Sequence, residues 1–311
     1  MKKVIAVHDI AGYGRVSLTT ALPILSVLGS QVCPLPTAVL SNGTTGFSDF
    51  YFQDLSGSME GMLQHWESLS LQADAVYSGF LGSPDQVDIV ARCARNCLRQ
   101  DGIFTVDPVM GDNGVLEPTM DMRMVARMRD LVGQATCITP NLTEAALLLG
   151  EPYPAELIDQ GVPLAMLQDW LGRLCDLGPG IAVITSVPLT SILISGEAHE
   201  GKSRDMAVAA YDKWSQSCRL VPYAPLPVDY PGAGDTFASV LTGALVQGAS
   251  LPAALCLAVD CILLAMEETM TAQTPPREGL ALGEALNLLA SARKTGLTLA
   301  GNASRSRSIR L

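Results

Sequence analysis

The chain has 311 residues, of which 48% are hydrophobic and 16% are charged, and its formal net charge is −11. This length and apolar content exclude a disordered chain and predict one large α/β domain or two smaller ones. The acidic balance argues against a general nucleic-acid binder, because such proteins need a basic face to neutralise phosphates. An anionic ligand must therefore be neutralised locally, by a metal ion or by backbone N–H groups.

The eight cysteines are scattered and form no Cys-x-x-Cys motif, and the only histidines are His8, His65 and His199. This pattern argues against a zinc site and favours reduced, buried thiols in a cytosolic enzyme. The histidines lack the partner pattern of a catalytic triad, so we expect each to be exposed or hydrogen-bonded. The apolar run Val4–Val7 is too short for the core of a signal peptide. The stretch Leu251–Met266 is interrupted by a proline and an aspartate, which predicts a buried helix rather than a membrane span.

Short runs of strand-forming residues alternate with longer helical patterns. The predicted strands are Val4–Val7, Pro36–Leu40, Ala75–Ser78, Ile103–Val106, Cys137–Thr139, Ile181–Thr185, Ser191–Ser195 and Met206–Ala210. The predicted helices are Val16–Leu28, Ser58–Leu69, Pro84–Arg99, Met120–Val132, Leu142–Leu149, Pro163–Leu177, Asp235–Gln247, Pro252–Met270 and Leu282–Ala292. Apolar strands separated by helices predict an α/β fold with a mostly parallel central sheet and helices on both faces.

Two segments fall outside this alternation. Ser195–Asp205 carries glycines and charges between two strands, so we expect a hairpin near one sheet edge. The end of the chain, Asn302–Leu311, contains three arginines and predicts a frayed, exposed tail. We find no internal repeat, low-complexity block or interdomain linker. The predicted organisation is therefore a single domain at residues 1–300 and a basic, flexible tail at residues 301–311.

Polar and glycine-rich clusters follow the carboxyl ends of five predicted strands. In an open parallel sheet these strand ends meet at one edge, where the ligand crevice lies. Five clusters at one edge therefore predict a binding site there, although any one of them alone is typical of an ordinary turn. The clusters are His8–Gly14, Ser41–Phe47, Ser78–Ser83, Asp107–Asp112 and Thr139–Glu144.

The turn Pro231–Thr236 is followed by an apolar helical pattern. Gly232 and Gly234 allow backbone N–H groups to point inward, and the helix start adds a partial positive charge. The turn therefore predicts an anion-binding site. Asp235 suits the first turn of a helix for structural reasons alone. It also suits phosphoryl transfer, in which a carboxylate accepts the proton of an attacking hydroxyl group.

The sequence contains no Walker A motif, and its five lysines lie outside the polar clusters. Asp107 and Glu144 each follow a different predicted strand, with Asn141 beside Glu144, and hard oxygens of this kind suit Mg²⁺. The alternative is structural, with Glu144 opening a helix and Asp107 capping a turn. The segment Asp107–Asp121 is either a long loop or a mobile flap over the site.

Six ordered motifs resemble those of the pyridoxal (vitamin B6) kinases of the ribokinase-like superfamily, over residues Val4 to about Ala292. They are Ser41-Asn42-Gly43-Thr44, Ser78-Gly79-Phe80-Leu81-Gly82-Ser83, Asp107-Pro108-Val109-Met110-Gly111-Asp112, Thr139-Pro140-Asn141-Leu142-Thr143-Glu144, Ile184-Thr185-Ser186 and Gly232-Ala233-Gly234-Asp235. The resemblance implies a ribokinase-like single domain, usually a homodimer, that uses ATP to phosphorylate the 5′-hydroxymethyl group of pyridoxal, pyridoxine or pyridoxamine. It also implies Mg²⁺ and, in some members, a monovalent cation such as K⁺.

The resemblance assigns roles to individual residues. Asp235 is implied as the general base, beside an anion hole formed by Gly232, Ala233 and Gly234. Substrate contacts are implied at Asp9, Ser41, Thr44, Thr45 and Phe80. Nucleotide contacts are implied at Asp107, Asn141, Glu144, Thr185, Ser186 and Val221, with Asp107 and Glu144 as the Mg²⁺ ligands. A monovalent cation is implied between Asp107, Thr139 and Thr185. The nucleotide base is expected near Val221–Pro227 and the helix Ala253–Met266.

The chain departs from familiar members of this family near the expected substrate pocket. It has Asp9-Ile10 where they carry serine and then histidine, and Gly43 where they carry histidine. We hypothesise that the Asp9 carboxylate pairs with a cationic substrate group, such as the ammonium of pyridoxamine. The alternative is that Asp9 only caps the following turn.

Three other functions are weighed against a cytoplasmic B6 kinase with no nucleic-acid or membrane partner. A hydroxymethylpyrimidine (phosphate) kinase of thiamine synthesis has the same fold, but that family commonly carries cysteine at the position of Asp235. A non-catalytic B6-binding protein needs neither a base nor Mg²⁺, so the Gly232–Asp235 turn argues against it. Sugar and nucleoside kinases usually carry an added β lid and are more distant.

Overall fold

The computed structural model describes residues 1–189, 205–224, 228–297 and 306–311. The strands are β1 (Lys2–Ala11), β2 (Ser30–Leu40), β3 (Phe52–Asp54), β4 (Ala73–Ser78), β5 (Leu98–Val106), β6 (Gly111–Asp112), β7 (Val115–Leu116), β8 (Cys137–Ile138), β9 (Ile181–Pro188), β10 (Met206–Asp212), β11 (Ser217–Tyr223) and β12 (Ile309–Arg310). The helices are α1 (Leu18–Val27), α2 (Ser56–Ser68), α3 (Gln86–Cys97), α4 (Met122–Val132), α5 (Leu142–Leu149), α6 (Ala155–Gln160), α7 (Leu164–Asp176), α8 (Ala233–Val246), α9 (Leu251–Thr271) and α10 (Gly283–Lys294).

Ten of the strands form one sheet in the order β12-β11-β10-β9-β8-β5-β4-β1-β2-β3. The six strands from β9 to β2 in this order pair in parallel, and the strands at both edges pair antiparallel. The chain runs from β1 to β2 on one side and reaches β4 on the other side of β1. The topological switch point therefore lies beside β1, where ligands bind in sheets of this type.

Helices cover both faces of the sheet, as the sequence predicts. One face carries α1, α8, α9 and α10, and the other carries α2, α3, α4, α5 and α7. The parallel strands are buried between these layers because their residues are almost continuously apolar; Val4–Val7 in β1 is fully buried. The predicted α/β architecture with a mostly parallel sheet is confirmed.

All nine predicted helices agree with the structure to within two residues at each end. The predicted helix Pro84–Arg99 is too long, because β5 begins at Leu98. Sequence patterns missed β3, the β6–β7 hairpin, α6, β11 and β12. The predicted strand Ser191–Ser195 and almost all of the predicted hairpin Ser195–Asp205 lie outside the described residues.

The end of the chain differs from the predicted frayed tail. Ile309 and Arg310 form β12, which pairs with Leu220 and Arg219 of β11. Ser306 is buried, and the Leu311 N–H donates to the Cys218 carbonyl oxygen. The described part of the tail, residues 306–311, is therefore an edge strand, because β11 offers unpaired backbone groups to it.

All eight cysteines are free, and six of them are buried, which confirms the expected reduced, buried thiols. Across the described ranges, no helix combines the length and apolar character that a membrane crossing requires.

Candidate active site

A cavity of about 530 Å³ opens at the carboxyl edge of the parallel strands. Each of the five polar strand-end clusters contributes at least one residue to its wall, which confirms the predicted position of the crevice. A volume of this size suits a small-molecule site. The cavity brings together most of the predicted site residues, namely Asp9, Thr44, Thr45, Phe80, Asp107, Asn141, Glu144, Thr185, Ser186, Gly232, Ala233, Gly234 and Asp235.

Two predicted contacts, Ser41 and Val221, lie within the described residues but outside the cavity wall. The Ser41 hydroxyl accepts a hydrogen bond from the Tyr51 N–H at 2.9 Å, so it holds the loop after β2. Val221 is fully buried in the apolar core, and Tyr223 of the same strand lines the cavity instead. As ligand contacts both stay predictions; the structure places neither side chain on the cavity wall, because sequence does not show at which point along a strand or loop the cavity begins.

The turn Pro231–Thr236, called the anion turn below, leads into α8 as the sequence predicts. Gly232 precedes α8 with φ = 84°, a left-handed conformation that favours glycine. A Cβ atom at this position would lie 2.4 Å from the Arg15 carbonyl oxygen, so the close approach of two chain segments also requires glycine. Ala233 and Gly234, the first residues of α8, line the cavity. The positive end of the helix dipole therefore faces the cavity.

Asp235 lies in the first turn of α8, and its carboxylate is held by the chain segment before α1. The Ser17 N–H donates to Asp235 Oδ2 at 2.8 Å. Burial raises the pKa of Asp235 above its ordinary value, and the Ser17 hydrogen bond partly opposes this rise. A carboxylate with a raised pKa accepts protons more readily near neutral pH, which suits a general base.

His8 lies behind Asp235 and differs from the sequence expectation. It is fully buried rather than exposed, and neither ring nitrogen has a hydrogen-bond partner. Its Nδ1 lies 3.9 Å from Asp235 Oδ1, and its ring packs edge-on against Tyr77. Burial lowers the pKa of His8 to about 3, so the imidazole is neutral at physiological pH. It therefore provides no positive charge to hold Asp235 ionised.

Ser17 lines the cavity and contacts two of its carboxylates, which sequence reasoning missed. Its backbone has φ = 52° and ψ = −128°, which is strained for a residue with a side chain. This conformation aims its N–H at Asp235, while its side chain hydrogen-bonds to Asp9. Burial and the nearby Asp235 charge raise the pKa of Asp9 to about 7. One strained serine therefore holds two cavity carboxylates. No sequence signal indicated this role, because Ser17 lies inside the predicted helix Val16–Leu28.

Asp107, directly after β5, and Glu144, in the first turn of α5, both line the cavity. The Thr139 hydroxyl donates to Asp107 Oδ1 at 2.9 Å. Glu144 accepts the backbone N–H groups of Met110 and Asn141 at 3.0 and 2.8 Å. Burial raises the pKa of both carboxyl groups, and they repel each other. Glu144 also completes a capping box with Asn141, so it does open a helix, as the structural alternative held.

The donor set fits a Mg²⁺ ion that arrives with phosphate ligands. No group of three or more His, Cys, Asp or Glu within the described ranges could hold a metal ion by itself. Mg²⁺ is commonly bound through one or two carboxylates, together with substrate phosphates and water. Asp107 and Glu144 provide such a pair. Asp107 also lies near the anion turn, because a Cβ atom at Gly234 would be 3.9 Å from Asp107 Oδ2.

The segment after β5 folds into the β6–β7 hairpin at the cavity mouth. Asn141 Nδ2 donates to the Gly111 carbonyl oxygen at 2.8 Å, and the Gly114 N–H donates to the Thr143 hydroxyl at 2.9 Å. Thr44 on the loop after β2 lies 3.5 Å from Glu117 beyond the hairpin. The hairpin is thus attached to the start of α5 and contacts the expected substrate loop. Its movement as a flap stays a prediction.

The opposite end of the cavity is apolar. It is lined by one side of α9, within the predicted segment Ala253–Met266, together with Tyr223 of β11. The predicted neighbours Pro225–Pro227 lie outside the described residues. An apolar end beside an anion turn provides space for a nucleotide base. The α9 residues that line it are Val259, Ile262, Leu263 and Met266.

The charge of the cavity is one-sided. No lysine, arginine or histidine is found among its described lining residues. Such a cavity favours ligands that bring positive charge, either on themselves or on a bound metal ion. Its seven carboxylates belong to Asp9, Asp107, Asp112, Glu117, Glu144, Asp229 and Asp235.

Comparisons with known proteins agree with this architecture. The family model described as phosphomethylpyrimidine kinase matches residues 26–275. A pyridoxine/pyridoxal/pyridoxamine kinase of Bordetella avium is 31% identical over 253 residues, covering 80% of this chain and 79% of the relative. A candidate phosphomethylpyrimidine kinase from Bacteroides thetaiotaomicron, crystallised with pyridoxal, is 42% identical with a TM-score of 0.87, covering 100% of this chain and 99% of that chain. The pyridoxal kinase of Lactobacillus plantarum is 30% identical with a TM-score of 0.81, covering 95% and 99%.

The parallel sheet, the anion turn at a helix start and the carboxylates around one crevice define a kinase of the ribokinase-like fold. The chain belongs to the phosphomethylpyrimidine kinase family, and within that family it is similar to kinases of B6 vitamers.

Proposed function

We propose that this protein transfers the γ-phosphate of ATP to the 5′-hydroxymethyl group of a B6 vitamer, with Asp235 as the general base. The observation that carries this proposal is the position of Asp235. It is a largely buried carboxylate of raised pKa in the first turn of α8, at the wall of the cavity that also contains Thr44 and Phe80. The B6 kinases among the relatives support the substrate class.

Each protein group at the cavity has one role in the proposed reaction. The substrate hydroxyl donates its proton to the Asp235 carboxylate as its oxygen attacks the γ-phosphorus of ATP. The bond from that phosphorus to the oxygen that bridges to the β-phosphate breaks, and ADP leaves. The Ser17 N–H holds Asp235 Oδ2 throughout, which fixes the orientation of the carboxylate. The start of α8 at Ala233 and Gly234 stabilises the negative charge on the transferred group. Mg²⁺ bound with ATP would neutralise phosphate charge, and Asp107 and Glu144 are the residues that would hold it.

Further features of the proposal concern the surroundings of the reaction. The β6–β7 hairpin excludes water from the cavity and so limits wasteful hydrolysis of ATP. A monovalent cation between Asp107, Thr139 and Thr185 is supported by the hydrogen bond that joins the first two residues. The nucleotide base binds against α9. A homodimer acting in the cytoplasm completes the proposal, which here rests on the family resemblance.

The test is coupled release of ADP with Mg·ATP and K⁺ across pyridoxal, pyridoxine, pyridoxamine and hydroxymethylpyrimidine. Turnover of at least one B6 vitamer is expected. Turnover of the pyrimidine alone would contradict the proposal and move the protein to thiamine synthesis. Binding of a vitamer without any turnover would favour a non-catalytic B6-binding protein.

The second candidate is hydroxymethylpyrimidine kinase, which the description of the matching family model favours. The aspartate at position 235 argues against it, because that group of enzymes commonly carries cysteine there. Bound pyridoxal in the Bacteroides thetaiotaomicron structure, at 42% identity, further supports the B6 assignment.

A further inference from the structure

Asp9 is a cavity carboxylate for which the proposed reaction has no use. It is 4% exposed, lies near the end of β1 at the switch point of the sheet, and lines the cavity. No basic side chain among the described lining residues neutralises it. A buried carboxylate without a cationic partner is costly, so its retention at the centre of a ligand site requires a physical reason.

The position of Asp9 relative to Asp235 indicates what it contacts. Ser17 joins the two residues, because its N–H donates to Asp235 and its side chain hydrogen-bonds to Asp9. The Asp235 charge also raises the pKa of Asp9, as expected for neighbouring carboxylates. A ligand whose hydroxymethyl group meets Asp235 therefore presents a directly adjacent group to Asp9.

The chemistry of the B6 ring limits the identity of that adjacent group. The hydroxymethyl group that receives the phosphate is attached to C5 of the pyridine ring. Its neighbour C6 carries only hydrogen, which offers a buried carboxylate no hydrogen bond. Its other neighbour, C4, carries the group in which the vitamers differ: an aldehyde in pyridoxal, a hydroxymethyl in pyridoxine and an aminomethyl in pyridoxamine. Only the aminomethyl group carries a positive charge.

We propose that Asp9 binds the C4 ammonium group and makes pyridoxamine the preferred substrate. This inference rests on the proposed function. The ammonium donates charge-assisted hydrogen bonds to Asp9, which are stronger than bonds between neutral groups. The aldehyde of pyridoxal has no donor and faces Asp9 with its own partial negative charge. The one-sided charge of the cavity acts in the same direction, because the other lining carboxylates also attract a cation.

The experiment compares pyridoxamine with pyridoxine, which differ only in an ammonium or a hydroxyl at the same carbon. Asp9→Asn keeps the side-chain shape and an oxygen that accepts from Ser17, but removes the charge. We expect the ratio of kcat/KM for pyridoxamine to that for pyridoxine to fall roughly 10- to 100-fold in this variant. Asp112→Asn is the matched control, because it removes one carboxylate from the same cavity at the exposed hairpin. In that control the ratio should stay within about threefold of the unmodified protein, since Asp112 is exposed on the hairpin and Asp235, not Asp112, is the charge that acts on Asp9.

The outcomes separate this inference from the proposed function. A ratio unchanged by Asp9→Asn, or an equal loss for all vitamers, would show that Asp9 does not read the C4 group. An equal fall in the Asp112→Asn control would assign the preference to overall charge instead. Hydroxymethylpyrimidine also carries an amino group beside its hydroxymethyl carbon. If Asp9→Asn lowers kcat/KM for this pyrimidine alone, Asp9 binds the pyrimidine amino group and not the ammonium of pyridoxamine. Absence of turnover with every vitamer contradicts the proposed function itself.

A second measurement does not depend on the folding of a variant. Calorimetric titration of the unmodified protein with each vitamer, in the absence of ATP, should show at least tenfold tighter binding of pyridoxamine than of pyridoxine. Equal affinities would overturn the inference. Asp9→Ser, a smaller side chain, provides an independent check that loss of the carboxylate, rather than the shape of asparagine, changes the ratio.

Discussion

Replacement of Asp235 by asparagine tests the assignment of the general base most directly. Asparagine has nearly the same shape as aspartate and keeps an oxygen that accepts the Ser17 N–H, now at 2.8 Å from Asp235 Oδ2. It cannot accept the proton of the attacking hydroxyl. General-base assistance contributes about 10²- to 10⁴-fold to a rate, which corresponds to about 3–5 kcal/mol of transition-state stabilisation. We therefore expect kcat to fall by that factor with every vitamer that is turned over.

Asp235→Asn should lower kcat without weakening the binding of Mg·ATP. Asp235 carries negative charge at the start of α8, where the phosphates bind in the proposed reaction, and its charge raises the pKa of Asp9 and of Asp107. Removing this charge lowers the repulsion that phosphate oxygens meet. The variant should therefore bind Mg·ATP at least as tightly as the unmodified protein. A loss of ATP affinity together with kcat would indicate damage to the anion turn instead.

The assay is coupled ADP release at saturating pyridoxine, combined with calorimetric titration of Mg·ATP and a thermal unfolding scan. Asp112→Asn serves as the control, because it also removes one cavity carboxylate but leaves the base in place. A kcat of Asp235→Asn within tenfold of the unmodified protein would refute the general-base assignment. The same result would leave the family and fold unaffected.

Three further predictions follow from individual contacts. Gly232→Ala should lower the free energy of unfolding by about 1–3 kcal/mol and weaken Mg·ATP binding, because φ is 84° and the new Cβ would lie 2.4 Å from the Arg15 carbonyl oxygen. Gly248→Ala is the control in the same unfolding assay, because at φ = 91° with no atom within 4 Å it introduces the backbone strain without the steric clash. The folded-state pKa of Asp9 is raised from 3.8 to about 7, so protonated Asp9 stabilises the ligand-free fold below pH 4, and this stability, up to about 4 kcal/mol, is lost as the pH rises through 7. The unfolding temperatures at pH 5 and pH 8 should therefore differ less for Asp9→Asn than for the unmodified protein. An equal difference would contradict the raised pKa. Asn141→Ala should cost about 1 kcal/mol of stability by removing the cap of α5. It should also increase the release of ADP in the absence of an acceptor substrate, because the hydrogen bond from Asn141 to the β6–β7 hairpin is lost. Unchanged acceptor-free ADP release would argue against the role of the hairpin in excluding water.

The sequence predicted the central part of the fold because that part depends on local patterns. Apolar runs as short as Val4–Val7 identified the buried parallel strands, since each strand is covered on both faces. The elements that were missed depend on remote partners. Ile309 and Arg310 form β12 only because β11 lies beside them, and no property of the arginine-bearing tail indicates this. Two-residue strands such as Gly111–Asp112 are too short to carry a period.

The candidate site shows the same division. Motifs at strand ends identified residues such as Asp107 and Glu144, because the carboxyl ends of parallel strands necessarily meet at one edge. Ser17 was missed because its role arises from a hydrogen bond to a residue 218 positions away. The burial of His8, without a partner for its nitrogens, also arises from packing against Tyr77 and the glycine that follows β4. The position of Val221 in the core, beside the cavity residue Tyr223, could not be predicted because core and cavity residues follow one another on the same strand.

The arrangement of charges explains why Asp235, among several buried carboxylates, is suited to remain basic. With pyridoxamine bound as we infer, Asp9 faces the substrate ammonium. In the proposed reaction Asp107 and Glu144 face the metal-bound phosphates, so ligand binding neutralises these three groups. Asp235 instead has a neutral backbone N–H from Ser17 and an imidazole, His8, whose pKa burial lowers to about 3. It gains no cationic partner that would lower its pKa. Asp9 and Asp107, whose pKa values the Asp235 charge raises, therefore exchange repulsion for pairing when ligands bind. Asp235 keeps its affinity for the proton that the substrate hydroxyl must lose.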